Sequence, residues 1–340
     1  MRRLAATCAL VLLFGPTHGA AAGSRSSWAL PQIKALIGAG VMGTSVATFH
    51  PNDPLRRVAL EQLVAGLLHR VPVITAAPTA TVTMSGLDAR LVGALGLGAT
   101  AKTFESAAKA AGITPPSRFG TEATARLLGL RINHPAAVDN LELLPNETAT
   151  RAEAAYSGAQ ILNFTSSELP AVQQEAATFT LPQLTIWQQR ILTTAVRFIG
   201  YPYVWAGVSE LPESPFGHQA QGGFDCSGFV WRVYKLQQYP NEGTLAARLK
   251  GRTTYQMSGE VSRALRIPFA KLQPADVLFF GDAGPSSKPA QVGHMGVYLG
   301  NGWFIHSSGY GVAVAQLTGW YRTRFAWARR PLAEAGLSAS

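Results

Sequence analysis

The sequence is poor in cysteine and in charge, and it lacks motifs that would assign it to several classes of protein. Only two of its 340 residues are cysteines, and 14% are charged. It contains no G-x-x-x-x-G-K-[ST] loop, and Gly38–Gly43 follows helix-like sequence where a dinucleotide-binding fingerprint needs a strand. No apolar run reaches the roughly 20 residues that cross a bilayer. We therefore expect no cofactor, no metal site and no stable membrane insertion.

The formal net charge is +10, but the basic residues are scattered along the chain. We find no Lys/Arg cluster, zinc-ligand spacing or stacking-aromatic motif of the kind that nucleic-acid binding favours. The simplest explanation is a solvated basic surface, whose partners outside a cell would be anionic wall polymers or membrane surfaces. We expect no nucleic acid among the partners.

Residues 1–22 are typical of an export signal. Arg2 and Arg3 precede an apolar run over Leu4–Phe14, and small residues follow at Ala20–Ala22. Cys8 lies inside that run and would leave with it, so Cys226 would be the only thiol of a secreted, wall-associated protein. The alternative is a retained membrane anchor, which the shortness of the run disfavours.

Cys226 lies in the run Gly223–Val230, at the predicted start of a helix. Asp225 is a good N-cap, and Phe229 precedes Val233 at the i, i+4 spacing of a buried helix face. The free N–H groups at a helix start stabilise a thiolate, so we expect a nucleophile with a lowered pKa. The alternative is a small buried core residue.

Two of the seven histidines, His294 and His306, lie in alternating runs that predict a hairpin closed at Gly300–Gly302. With a three-residue loop, the predicted pairs are Leu299 with Trp303, Val297 with Ile305, and Gly296 with His306.

This register places the apolar residues of both strands on one face and the two histidines on the other, as diagonal neighbours. A two-residue loop would separate the histidines. The pattern thus predicts a site in which Cys226 is the nucleophile, His294 is the general base and His306 orients His294.

The segment Leu181–Leu332 resembles the NlpC family of peptidoglycan cysteine endopeptidases. Five motifs match in order, namely the lead-in Ala195–Gly207, the nucleophile motif Phe224–Val230, the strand entry Leu272–Val277, the base strand Gly293–Tyr298 and the third catalytic position in Ile305–Ser308. Ala206 and Ala275 stand where the family more often has glycine, which tolerates more backbone conformations.

The resemblance implies an α+β fold with a papain-like core, in which N-terminal helices pack on an antiparallel sheet. It implies hydrolysis within peptidoglycan stem peptides, typically after γ-D-glutamate. It also implies that Tyr203, Asp225 and Ser227 bind the stem peptide, with Tyr203 also stabilising the oxyanion. The alternatives are core packing for Tyr203 and helix capping for Asp225 and Ser227.

The N-terminal half contains a repeat, because Pro51–Leu60 matches Pro145–Ala154 at an offset of 145 − 51 = 94 residues. In each copy a turn leads through an arginine, Arg57 or Arg151, into a helix. The copies resemble S-layer homology modules, which bind wall polysaccharide, and the first of them is degenerate. This resemblance implies anionic-polymer binding by Trp28, Arg57 and Arg151, while helix-start structure is the alternative.

We therefore predict four parts: a signal peptide (1–22), a mainly helical wall-binding region with S-layer homology-like repeats (26–162), a linker (163–180) and an NlpC-type peptidase domain (181–335). The pattern of residues 71–100 is too weak to assign. Two other functions stay open: a non-catalytic wall-binding or S-layer-type structural protein, and an amidase or acyl transferase on the same fold.

Overall fold

A computed structural model describes residues 27–134 and 142–337. The predicted export signal lies outside the described residues. Within them, no helix combines the length and the apolar character needed to cross a membrane.

The N-terminal half is helical. Its helices are α1 Leu30–Gly38, α2 Arg57–Leu67, α3 Met84–Ala94, α4 Gly98–Ala110, α5 Phe119–Leu127, α6 Arg151–Leu162 and α7 Glu168–Ala177. Apolar side chains from most of these helices form one buried cluster. The prediction of a mainly helical region is thus confirmed for these residues.

Helices α2, α3 and α6 begin in the same way, each six residues after a proline: Pro51, Pro78 and Pro145. The fourth residue after each proline joins a closed ring of backbone bonds, in which the N–H of Leu55 donates to Ala149, that of Ala149 to Val82, and that of Val82 to Leu55 (2.7, 2.8 and 3.0 Å). The three turn–helix units are therefore related by an approximate threefold arrangement.

A second closed set of bonds, in the opposite cyclic order, lies at the helix starts, where the N–H of Arg57 donates to Ala80, that of Met84 to Glu147, and that of Arg151 to Asp53. The predicted equivalence of the two arginines agrees with this geometry. The third unit lies in the stretch 71–100, whose sequence pattern is too weak to assign. Its proline has the same spacing from the helix start, which is the signal that was missed.

The C-terminal half mixes helices with a sheet. Its helices are α8 Ile186–Arg197, α9 Cys226–Trp231, α10 Leu245–Arg248, α11 Thr254–Gly259, α12 Gly319–Arg324 and α13 Pro331–Glu334. Its strands are β1 Val208–Ser209, β2 Glu213–Ser214, β3 Gly217–His218, β4 Gly223–Phe224, β5 Val277–Gly281, β6 Val292–Gly300, β7 Trp303–Ser308, β8 Gly311–Gln316 and β9 Phe325–Arg329.

Strands β5 to β9 form one antiparallel sheet in the order β8-β7-β6-β5-β9. Helix α9 packs against β6 and β7, and its fully buried Phe229 and Val230 join Met295, Val297 and Ile305 in the core. The α+β class is as predicted, and this packing places the start of α9 beside the two central strands.

The prediction that residues 163–180 form a linker is wrong. These residues contain α7 and include the buried ring of Phe179 near their end. Phe179 contacts Phe104 of α4 and Trp303 of β7, with ring centroids 4.8 and 5.1 Å apart. These three rings belong to one core shared by both halves. A polar stretch with prolines therefore buries one phenylalanine between them.

Candidate active site

The nucleophile candidate lies at the first residue of α9. Asp225 caps this helix by accepting a hydrogen bond from the N–H of Gly228. Gly228 is required because a Cβ there would lie 1.9 Å from the carbonyl oxygen of Gly207. The cap and this close approach fix the position of Cys226, which is 8% exposed.

Arg252, which was not predicted as a site residue, forms hydrogen bonds with side chains at the same helix start. Its guanidinium donates to both carboxylate oxygens of Asp225 (3.1 Å each) and to Ser227 Oγ (2.7 Å). Asp225 and Ser227 thus have capping and ion-pair roles in the structure, and their binding of substrate remains a prediction. The contact spans 27 residues, and no local sequence pattern indicates it.

The hairpin that carries the histidines differs in detail from the predicted one. Val297 pairs with Ile305 as predicted, but Gly300 rather than Leu299 pairs with Trp303, and a bulge lies between Tyr298 and Gly300. The turn consists of two residues, Asn301 and Gly302, both with positive φ (48° and 84°), as in a type I′ turn.

The prediction that a two-residue turn would separate the histidines is wrong, because the bulge adds the residue that the turn lacks. The two imidazoles meet, with Nε2 of His294 2.8 Å from Nδ1 of His306. Gly296 lies against His306, since a Cβ on Gly296 would be 3.0 Å from the Cβ of His306. The strands therefore bring together the two residues that the sequence selected.

Burial shapes the protonation of this pair. Desolvation lowers the pKa of His294 to about 4, and it lowers that of His306 well below its ordinary value, to which the neighbouring His294 adds. His306 stacks on Phe304 (4.7 Å between centroids), and its Nε2 lies 3.4 Å from the Tyr321 hydroxyl. Both imidazoles are thus neutral near pH 7, and each has one donor and one acceptor nitrogen.

Cys226 does not have the lowered pKa that its helix-start position predicted. Burial, followed by the charge of Asp225, raises the pKa of the thiol to about 12, although the N–H groups of Met295 and Ser227 oppose this shift. Within the described chain the thiol makes no hydrogen bond to an imidazole. Met295 directly follows His294, however, so the thiol lies beside the segment that bears the base.

Tyr203, for which the resemblance implies stem-peptide binding, lies close to Cys226. Its backbone forms a parallel bridge with Phe224, two residues before Cys226. Burial, with smaller effects of Cys226 and Asp225, raises the pKa of the phenol to about 12. The hydroxyl therefore stays protonated and can donate a hydrogen bond near the thiol. Ser307 Oγ also donates to the Phe224 carbonyl (2.7 Å), which ties the His306 strand to the same segment.

The three predicted wall-polymer residues do not meet. Arg57 lines a groove of about 410 Å³ and Arg151 a separate one of about 550 Å³. Trp28 lines neither groove; it stacks on His134, with centroids 3.8 Å apart. Arg151 is partly occupied, since its Nε donates to the Phe49 carbonyl (2.7 Å). The structure thus places the half-buried Trp28 apart from both groove arginines, and wall-polymer binding by the three residues remains a prediction.

One group of described residues, His134, Glu142 and Glu153, has the spacing of metal ligands. His134 Nε2 lies 2.6 Å from a Glu153 oxygen, and Arg131 pairs with the other oxygen at 3.3 Å. Arg131 and His134 thus already supply opposing charge and a hydrogen bond to Glu153. This group lies in the helical half, on residues that the catalytic prediction does not include.

Comparison with known proteins finds one family model that matches the part of the chain that holds this site. The NlpC/P60 family model matches residues 200–330. A gamma-D-glutamyl-L-lysine dipeptidyl-peptidase of Bacillus subtilis is 30% identical over 131 residues, which are 38% of this chain and 34% of that protein. The probable peptidoglycan endopeptidase LytE of the same bacterium is 29% identical over 144 residues, 42% of this chain and 34% of that protein.

A crystal structure of an NlpC/P60 family protein from Bacillus cereus covers 46% of this chain and 43% of its own, with 26% identity and a TM-score of 0.32. The chain spans about a third of the length of the curated relatives it matches.

Proposed function

We propose that the NlpC/P60 domain formed by residues 200–330 is an active cysteine endopeptidase that cleaves peptidoglycan stem peptides. The observation that carries this proposal is the imidazole pair, with His294 Nε2 2.8 Å from His306 Nδ1 beside the helix that begins at Cys226. A nucleophile, a base and a residue that orients the base are the parts that thiol-dependent acyl transfer requires.

The geometry supports an order of events. When the N–H at His294 Nε2 donates to His306 Nδ1, the lone pair of His294 Nδ1 is left to accept the thiol proton. The sulfur of Cys226 then bonds to the scissile carbonyl carbon, and the C–N bond breaks as His294 returns the proton to the leaving amine. Water hydrolyses the resulting thioester, and the free carboxylate and thiol are restored.

The raised thiol pKa and the lowered pKa of His294 mean that the resting pair is neutral. Proton transfer therefore accompanies attack, and the enzyme does not store a thiolate. Catalytic hydrogen bonds are often long in free enzymes and tighten when substrate binds. The thiol of Cys226 contacts backbone N–H groups in the free protein, and we expect its hydrogen bond to His294 to form when substrate binds.

Substrate recognition would use the groups around the helix start. In this proposal the Tyr203 hydroxyl donates a hydrogen bond to the developing oxyanion. Arg252, whose side chain is 20% exposed, adds positive charge beside Asp225 and would attract the carboxylates of a stem peptide. The B. subtilis dipeptidyl-peptidase is named for a γ-D-glutamyl bond, and cleavage after γ-D-glutamate is the proposed specificity.

We further propose that the helical region tethers a secreted enzyme to anionic wall polysaccharide. Two of its three equivalent helix starts carry an arginine beside an open groove. Cationic side chains at the positive end of a helix dipole suit anionic ligands. The resemblance to S-layer homology modules agrees with this role and remains a prediction.

The experiment that tests the peptidase proposal is mass spectrometry of fragments released from purified peptidoglycan by the full chain. New N-termini within the stem peptide, with free γ-D-glutamyl carboxylates, would support it. Released fragments that differ only at the amide between glycan and peptide would instead support an amidase.

A further inference from the structure

The third of the three equivalent grooves differs from the other two in its first helical residue and in what fills it. Helix α3 begins with Met84, which is 6% exposed, where α2 and α6 begin with arginine. The remaining cavity is only about 30 Å³, and Asp88 and Pro145 line it together with Gly200 and Tyr310 of the peptidase domain. The peptidase therefore occupies the place that stays open in the other two units.

Two arginines of the helical region hold the backbone at this contact. Arg126 of α5 donates to the carbonyl of Gly200 (3.0 Å) and to that of Tyr310. Arg118 donates to the carbonyls of Ile199 (3.0 Å) and Arg197 (2.6 Å), at the end of α8. Carbonyl groups at a helix C-terminus lack hydrogen-bond partners within the helix. Arg118 therefore supplies donors to carbonyl groups at the end of α8.

Gly200 allows the contact to be this close. Its φ is +87°, and a Cβ there would lie 2.7 Å from a carboxylate oxygen of Glu122. A larger residue would separate the two halves at this point. The approach of Glu122 and Arg126 to one glycine indicates a fitted contact between the halves.

Asn133 makes the most specific contact, because it binds the residue beside the nucleophile. Its side-chain Nδ2 donates to the Tyr203 carbonyl (2.8 Å), and its Oδ1 accepts from the Tyr203 N–H (3.3 Å). The N–H of Asn133 also donates to the carbonyl of Gly309 (2.9 Å), three residues after His306. One residue thus links the segment that carries Tyr203 to the end of the strand that carries His306.

We infer that the third groove is a socket for the peptidase domain and that Asn133 is a positioning residue, which aligns Tyr203 and the His306 strand with Cys226. The catalytic part of this inference rests on the proposed function. On one side Tyr203 is held by its bridge to Phe224, and on the other by the amide of Asn133. The helical region is then part of the catalytic machinery as well as a tether.

The test uses the full chain and a double-mutant cycle. The variants are Asn133→Ala, Tyr203→Phe and the pair, with Asn163→Ala as the matched control, since Asn163 is exposed at the end of α6. We expect Asn133→Ala to lower kcat/KM on a stem-peptide substrate at least tenfold, but less than threefold when Tyr203 is already phenylalanine. Asn163→Ala should stay within twofold of wild type.

An equal loss from Asn133→Ala in both backgrounds would overturn the inference, because a general structural defect does not depend on the Tyr203 hydroxyl. An inactive wild type would contradict the proposed function, and the socket is then judged by hydrogen exchange. Faster exchange of the amides at 199–204 in Asn133→Ala than in Asn163→Ala is expected, and unchanged exchange would contradict the socket.

Discussion

Nε2 of His294 lies 2.8 Å from Nδ1 of His306, and the two rings are nearly perpendicular, at 84°. A neutral imidazole has one donor and one acceptor nitrogen, so this contact couples the tautomers of the two rings. In the tautomer in which His294 Nε2–H donates to His306 Nδ1, the other nitrogen of His294 keeps its lone pair. A general base needs this arrangement at the moment when the thiol loses its proton.

The proposed orienting role of His306 can be tested separately from the bulk of its side chain. His306→Asn keeps an acceptor oxygen close to the position of Nδ1, whereas His306→Ala removes it. We expect His306→Asn to retain at least tenfold more kcat/KM than His306→Ala, measured by release of stem-peptide fragments. Equal losses in the two variants would show that the imidazole does more than accept one hydrogen bond.

The acid limb of the pH profile should report the titration of His294, the proposed base. Burial lowers the pKa of His294 to about 4, so the imidazole stays neutral and able to accept a proton down to that pH. In a plot of kcat/KM against pH, we expect the acid-side midpoint nearer 4 than the ordinary 6.5. A midpoint at or above 6.5 would contradict the buried, neutral base.

Acid will also affect folding, and the sign follows from the same shift. In the unfolded chain His294 and His306 bind protons near pH 6.5, but in the folded chain they do so only at lower pH. Stability is therefore lost as the pH falls from about 6.5 toward the folded pKa. Thermal unfolding measured at each pH separates this loss from the titration of activity.

Replacing Ala206 with glycine should increase the stability of the protein. Its φ is +60°, a conformation that costs an L-residue roughly 1 kcal/mol relative to glycine, and its side chain is exposed. We expect Ala206→Gly to raise the free energy of unfolding by about 0.5–1 kcal/mol. Ala110→Gly, at the exposed end of α4, should lower it by a similar amount, and a fall in both variants would contradict the strain.

Wall binding should depend on the two groove arginines. Full-length Cys226→Ser protein, which leaves the walls uncut, should sediment with walls from its own source and bind less as salt rises. Arg57→Ala and Arg151→Ala should each weaken binding, and Lys34→Ala, an exposed change on α1, should not. If all three variants bind like the parent, the grooves are not the polymer site.

The sequence predicted what depends on local pattern. Residue spacing alone predicts where a helix starts, which of its faces is apolar, and whether two histidines lie on the same face of a hairpin. Cys226, His294 and His306 could therefore be selected from the sequence. The predicted turn was wrong in detail. The structure has a two-residue turn and a bulge between Tyr298 and Gly300, and the extra residue of the bulge keeps the two histidines together, as the predicted three-residue loop would. The face of the sheet on which a residue lies is set by the burial of alternate residues. It is therefore more predictable from sequence than the hydrogen bonds that pair the strands.

The missed residues act across long separations. Arg252 reaches Asp225 over 27 positions and Asn133 reaches Tyr203 over 70, and neither lies in a local motif. The thiol pKa was wrong for a related reason: the helix start is local and favours a thiolate, while the burial that outweighs it comes from distant core residues.

The most direct test of the central claim compares full-length wild type with Cys226→Ser and His294→Ala on purified peptidoglycan. The account predicts that wild type releases stem-peptide fragments, and that both variants lose at least a thousandfold in rate while they unfold at temperatures within a few degrees of wild type. Equal fragment release by wild type and a folded Cys226→Ser variant would contradict it.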